Sequence, residues 1–238
     1  MIEFTFEFSL AKLVHSIAYF SVSGLSDLTK LKLVKLLYFA DKTHLLESAS
    51  PILGDVYYCM DFGPVPSFAL NEMNEAITRG ESREGQSDRT FIDSVLKVRK
   101  PIWARYPRFE ARHANFERSV FSESELAALQ QVRDRYGNCS ASELVALTHQ
   151  EPTWCIPNAS REQGKRAQIP YDLFFVGCGE QGQRSLALLT ARFRGEVIPL
   201  PGDAAYRDFA SLLVEDQTEI DWSVDRDISN RATIQSFR

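Results

Sequence analysis

The stretch from residue 28 to 46, LTKLKLVKLLYFADKTHLL, constrains the chain most, because placed on a helix it is apolar nearly all the way round. Leu31, Leu33, Val34, Leu36, Leu37, Tyr38, Ala40 and Leu45 spread over most of the surface, while Lys32, Lys35, Lys42 and Thr43 share one stripe. Such a helix is covered on several sides, so residues 28 to 46 are read as the central helix of a domain. Asp41 projects among Val34, Leu37 and Leu45, opposite the lysines, with His44 to one side. An ionised carboxylate buried without a partner costs several kcal/mol, a large share of a domain stability of roughly 5–15 kcal/mol. Asp41 is therefore paired or less buried than the projection places it. Two readings stay open: a bond that fixes the helix to the following strand, or a place in a binding surface.

Beyond the helix, Pro51 and Gly54-Asp55 punctuate the chain, and Val56 to Phe62 reads as a strand of aromatic and branched residues. Gly63-Pro64-Val65-Pro66 stops it as a stiff turn, since each proline fixes its own φ and keeps its predecessor out of the helical region. Ala69, Leu70, Met73, Ala76 and Ile77 then recur at helical spacing, so the turn launches another helix.

These residues carry a family resemblance. KLLYFADKTHL, a short spacer and GDVYYCMDFGPVP closely resemble the core motif of the Panacea domain, the SocA-like antitoxin family of bacteria and their phages. The likeness resumes in FSESELAALQQVRDRYGNCSASELVALTHQEPTW, and together the segments cover about residues 9 to 171. The resemblance implies a cytoplasmic antitoxin that binds and neutralises a toxin encoded beside it, with no catalytic chemistry, cofactor or metal. Delivery of the bound toxin to a protease is an alternative. The family positions fall on Lys35, Tyr38, Asp41, Tyr57, Gly63, Pro64, Val65, His149 and Trp154; the resemblance does not divide them into partner contacts and framework.

The remaining sequence is consistent with a binding protein. The formal net charge of −5 argues against a general nucleic-acid binder, and the 44% apolar content of the 238 residues supports a real core. Cys59, Cys139, Cys155 and Cys178 form no CxxC pair, so reduced thiols are expected. The acidic start MIEFTFEFSL is unlike a secretory signal, and no apolar run reaches the ~18 residues of a membrane span. No Gly-rich phosphate loop or GxSxG elbow occurs. An enzyme built on Asp41 with His44 or Tyr57 is the catalytic alternative.

Leu10, Leu13, Val14, Ile17 and Ala18 mark a first helix after Ser9. Ser122 with Glu125 and Ser140 with Glu143 are capping boxes opening two more, with Leu126, Leu129, Val132 and Tyr136, then Leu144 and Leu147, facing inward. The helix-turn-helix likeness invites a DNA-bound regulator as a further alternative, yet ASELVALTHQ offers no Arg, Lys or Asn to read base edges. His149 and Glu151 lack metal-binding spacing; His149 is expected to close its helix, with Trp154 packed beneath.

Residues 81 to 94 read as a loop and Leu96 to Tyr106 as a strand that Pro101 forces to an edge or interrupts. Residues 97 to 118 hold seven Lys or Arg against two Glu, with aromatics between, which makes Trp103 and Arg105 candidate partner contacts. Residues 203 to 227 hold eight Asp or Glu against two Arg, an acidic tail able to complement that strand. Residues 171 to 176 read as a strand, 185 to 200 as two strands about Arg194-Gly195 in preference to a short helix and a strand, and Ala204 to Val214 as a helix. The expected fold is α+β and mainly α-helical, a multi-helix core with a small antiparallel sheet near residues 56–62, 95–106 and 171–176. It divides into a domain at 9–171 and a mixed extension at 172–238 with a frayed acidic end.

Overall fold

The computed structural model describes residues 3–81, 90–102, 104–114 and 116–196. Leu10–Val22 forms α1, whose N-cap Ser9 accepts from the Lys12 N–H at 3.3 Å, and of the expected stripe Leu13, Val14, Ile17 and Ala18 are wholly buried and Leu10 partly so. Lys30–Ser48 forms α2, the central helix, capped by Thr29 and closed by Ala49 in the left-handed conformation. Leu33, Leu36, Leu37 and Tyr38 are all 0% exposed. The lysine stripe is not a solvated face. Lys32 and Lys35 are buried as well, because their long stems pack on apolar neighbours while each ammonium finds a backbone carbonyl at 2.8 Å, Gly137 for Lys32 and Pro64 for Lys35.

After α2 the chain forms a hairpin of β1, Tyr57–Met60, and β2, Gly63–Pro66. The expected strand therefore ends two residues early, and the proline segment is its partner rather than a mere stop. Pro64 and Pro66 are tolerated for a geometric reason. Ser67 N–H donates to Val56 O at 2.9 Å, so hydrogen-bonded pairs alternate from there through Tyr58/Val65 and Met60/Gly63. Each proline occupies a position between, where its missing N–H faces away from β1, and β2 is a sheet edge. Ser67–Glu81 then forms α3. Its first turn is capped from a distance: the Asp55 carboxylate accepts from Phe68 N–H at 2.9 Å and Ala69 N–H at 2.8 Å.

The segment expected to be a loop to residue 94 contains a short helix, α4 at Phe91–Val95. Leu96–Arg99 forms β3 and Arg108–Ala111 forms β4, a separate antiparallel ribbon. Pro101 interrupts the expected strand, and residues 104 to 107 are irregular. Phe109 N–H donates to Leu28 O at 2.9 Å and ties the ribbon to the start of α2. Glu123–Tyr136 forms α5 and Ala141–Thr148 forms α6, and both capping boxes are present. Leu126, Leu129, Val132 and Leu144 are buried as expected, but Leu147 is 38% exposed. Pro152–Ser160 forms α7, opened by a proline at its first position.

The third strand lies upstream of its expected place. Ala167–Ile169 forms β5 and pairs with β1, giving the sheet order β2-β1-β5. Residues 171–175 are a 3-10 helix instead of a strand. Tyr171 and Phe174, three apart, stack with ring centroids 5.4 Å apart, the spacing that a three-residue turn superposes. Gly179–Arg194 forms α8 where the first of two strands was expected, Gly195 at φ 71° ends it, and residues 197–200 of the second lie outside the described residues. Leu186, Leu189 and Thr190 are buried at i, i+3 and i+4, and Ser185 Oγ donates to Leu46 O at 2.6 Å, so α8 packs on the end of α2. Phe4 and Phe6, in the extended start, meet Phe193 edge to face. The predicted helix at 204–214, the acidic segment 203–227 and its contact with the basic ribbon lie outside the described residues. Fold class is as expected: mainly helical α+β with a small antiparallel sheet.

Candidate functional site

Two buried charges on α2, less than two turns apart, organise the site. Asp41 is 0% exposed. Its Oδ1 accepts from Ile52 N–H at 2.9 Å and Leu53 N–H at 2.8 Å, and its Oδ2 accepts from the Tyr57 hydroxyl at 3.0 Å. The carboxylate thus pins the α2-to-β1 connection and the first strand to the central helix, the first of the two readings of this residue. Burial pushes its pKa up to about 7 against the pull of those donors. Tyr57 is driven well above the usual phenol range, by burial first and by the Asp41 charge second. Asp55, buried behind the next turn, is pushed up to about 6 by burial while its backbone donors pull the other way.

Lys35 is also 0% exposed, but among the described residues the Pro64 carbonyl is its one hydrogen-bond partner. Burial lowers its pKa to about 7. Gly63 makes this arrangement possible. Its φ is 97°, and a Cβ there would stand 2.6 Å from Thr148 Oγ1 and 2.7 Å from Lys35 Nζ, so only glycine lets the strand pass over the ammonium. Val65 is 8% exposed and belongs to the core.

The other wall comes from α6 and α7. His149 caps α6, and its ring stacks on Trp154 at 3.9 Å with an 11° interplanar angle, as the sequence led us to expect. Burial lowers the His149 pKa and the Lys35 charge lowers it further, against the pull of the Asp61 backbone. Trp154 Nε1 donates to Met60 O at 2.9 Å, and Arg161 pairs with Asp61 at 2.8 Å, so the β1 side of the hairpin tip is held at two successive residues. The next residue, Phe62, stands 65% exposed. Tyr38 completes the wall: its hydroxyl shares a 2.6 Å hydrogen bond with Thr153 Oγ1, and Lys42 pairs with Glu151 beside it.

Nine of the predicted residues are therefore drawn around one hairpin: Lys35, Tyr38, Asp41, Tyr57, Gly63, Pro64, Val65, His149 and Trp154. Two stand apart. His44 bonds Ser50 O at 2.6 Å through Nδ1 and Ser124 Oγ at 3.1 Å through Nε2, joining α2 to α5, and Arg105 is exposed in the β3–β4 connection. Trp103 lies outside the described residues. Sequence reasoning missed Asp55, Thr148 and Thr153. Asp55 had a legible signal, an acidic residue ahead of a helix that lacks a cap of its own; Thr148 and Thr153 act only through contacts distant in sequence.

All four cysteines are unpaired. Among the described residues no helix is long and apolar enough to cross a membrane, and no group of three or more potential metal ligands occurs. Comparison with curated proteins and with solved structures found no match. A family model described as antitoxin SocA-like, Panacea domain, matches residues 33–155, from the first turn of α2 to the start of α7, and so takes in both charges, the hairpin and the His149–Trp154 stack. The chain therefore belongs to the SocA-like, Panacea-domain antitoxin family.

Proposed function

We propose that this protein is a non-enzymatic antitoxin that neutralises a cognate toxin by direct binding, with the β1–β2 hairpin tip as its docking point. The antitoxin role rests on the family membership. The observation that carries the docking point is Phe62, a large apolar side chain 65% exposed on a tip held at Met60 by Trp154, at Asp61 by Arg161 and at Pro64 by Lys35. A rigid exposed aromatic loses little conformational entropy on binding and makes a strong anchor. The non-enzymatic reading is supported by Asp41, the strongest catalytic candidate of the sequence. All three of its hydrogen bonds are to protein groups, and a substrate would have to displace the backbone of Ile52 and Leu53 to reach it. The unit that does this work is residues 9–171, with the chain beyond it tuning partner choice.

Co-expression with the product of the neighbouring reading frame tests the reading. Wild-type protein is expected to restore growth to cells making that product and to co-purify with it, whereas Phe62→Glu loses both while its thermal unfolding is unchanged. Absence of rescue by wild type, or rescue by Asp41-dependent turnover of a small molecule, defeats it.

A further inference from the structure

The β3–β4 ribbon separates its positive charge into two sets. Along the strands every cation is engaged internally: Lys97 and Arg99 both meet Glu110, at 3.1 and 3.7 Å, and Arg108 pairs with Asp27 at 2.8 Å. Arg112, just past β4, donates to Asp93 O at 2.5 Å. The basic outer face that the sequence offers is thus largely neutralised by the protein itself. At the tip the pattern reverses. Lys100 and Arg105 are exposed and have no carboxylate partner among the described residues, and no Asp or Glu occurs in the sequence between Asp93 and Glu110.

The same tip exposes apolar surface. Ile102 is 106% exposed, as open as in an isolated peptide, and Tyr106 is 56% exposed with the Arg105 guanidinium 5.3 Å from its ring centroid. Among the described residues none covers the Ile102 side chain. Ala104 N–H donates to Pro101 O at 2.8 Å, and Pro101 and Pro107 each fix their own backbone φ. An apolar centre flanked by two free cations on a proline-bounded turn is complementary to an apolar patch rimmed by carboxylates.

We infer that the ribbon tip, Lys100, Ile102, Arg105 and Tyr106, is a second docking point of this antitoxin and takes an acid-rimmed apolar patch on the toxin. This rests on the antitoxin reading and adds to it a place and a partner chemistry. Ile102 supplies the buried contact, and Lys100 and Arg105 supply attraction and orientation. Nucleic acid is the less fitting occupant, since two free cations on a chain of net charge −5 neutralise few phosphates.

The test uses full-length protein and the purified product of the neighbouring reading frame, with affinity measured at 50 and 300 mM NaCl. Ile102→Ser is expected to weaken binding about tenfold at both salt concentrations. Lys100→Glu/Arg105→Glu is expected to weaken it at least tenfold at low salt and to remove the salt dependence. Both should melt with wild type. Wild-type binding that both variants match within threefold overturns the ribbon tip and leaves the antitoxin reading standing. Lowered melting of the variants makes the tip part of the fold and also overturns it, and failure of wild type to bind removes reading and tip together. Loss of duplex DNA binding in the charge variant, with toxin binding intact, assigns the tip to nucleic acid instead.

Discussion

Asp41 and Lys35 are both wholly buried on α2, yet Asp41 accepts three hydrogen bonds while Lys35 donates one. A buried charge holds its place only when its lost hydration is replaced. For Asp41 the replacement is larger though not complete, since burial still raises its pKa to about 7, and its donors come from the connection and strand that must be positioned for the hairpin to form. For Lys35 it is partial, and its acceptor comes from the edge strand β2. The same helix thus carries one charge that locks the hairpin's base and one that lightly tethers its edge. The contrast implies different consequences for removing each.

The largest effect is expected at Asp41. Asp41→Ala strands the Ile52 and Leu53 N–H groups and the Tyr57 hydroxyl in an apolar interior, and should lower stability by about 3–5 kcal/mol. Asp41→Asn keeps an acceptor for the two N–H groups and should lose about half as much. The denaturation midpoint in urea measures both. Equal losses for Ala and Asn would make the charge itself, rather than the acceptor geometry, the lock.

The two charges also predict opposite pH slopes. Asp41 titrates near 7 in the folded protein and near 4 when unfolded, so between those values the native state holds the extra proton and stability falls as pH rises. Lys35 titrates near 7 folded and above 10 unfolded, so there the unfolded state holds the extra proton, and its destabilising contribution is relieved as pH rises from 7 towards 10. The relief should reach about 3 kcal/mol, and Lys35→Met should abolish it while leaving the protein as stable as wild type or more so at pH 7. Chemical denaturation at pH 5, 7 and 9 separates the slopes. A Lys35→Met protein that keeps the alkaline gain would show that another group causes it.

Gly63→Ala comes next. It places a Cβ against Thr148 Oγ1 and Lys35 Nζ and forces alanine to φ 97°, for about 2 kcal/mol. In Lys35→Met the ammonium clash is gone and part of that loss should return, so a double-mutant cycle reads the coupling directly. Strict additivity would mean that the backbone angle alone demands glycine.

How far all this was legible depended on whether a signal was local. The central helix, both capping boxes and the His149–Trp154 closure follow from spacing within one segment, and each is found where that spacing places it. Asp41 was singled out because burial and charge conflict within a single helix. Lys35 and Lys32 misled as a polar stripe, since their carbonyl acceptors lie far along the chain and cannot be read from a helical projection. The strand expected at 171–176 and the first strand expected after residue 185 failed for another reason. Short apolar runs fit more than one period, and the i, i+3 pairing of Tyr171 with Phe174 and of Leu186 with Leu189 was outweighed by the apolar run at 173–176 and by Gly195 with Val197-Ile198-Pro199 after it.

The smallest effect bears most closely on docking. Trp154→Phe removes the Nε1–Met60 hydrogen bond but leaves an aromatic ring against His149, so global stability should fall by only about 1 kcal/mol. Asp41 still locks the base of the hairpin in this variant, and the loss should stay local to the tip. Amide exchange at Asp61 and Phe62 is therefore expected to quicken while exchange at Tyr57 stays slow. Toxin affinity should fall more than the change in stability accounts for, because a mobile Phe62 must be ordered on binding. If Tyr57 exchange quickens in step with Phe62, the base and tip of the hairpin are one cooperative unit, and the division of labour between the two buried charges does not hold.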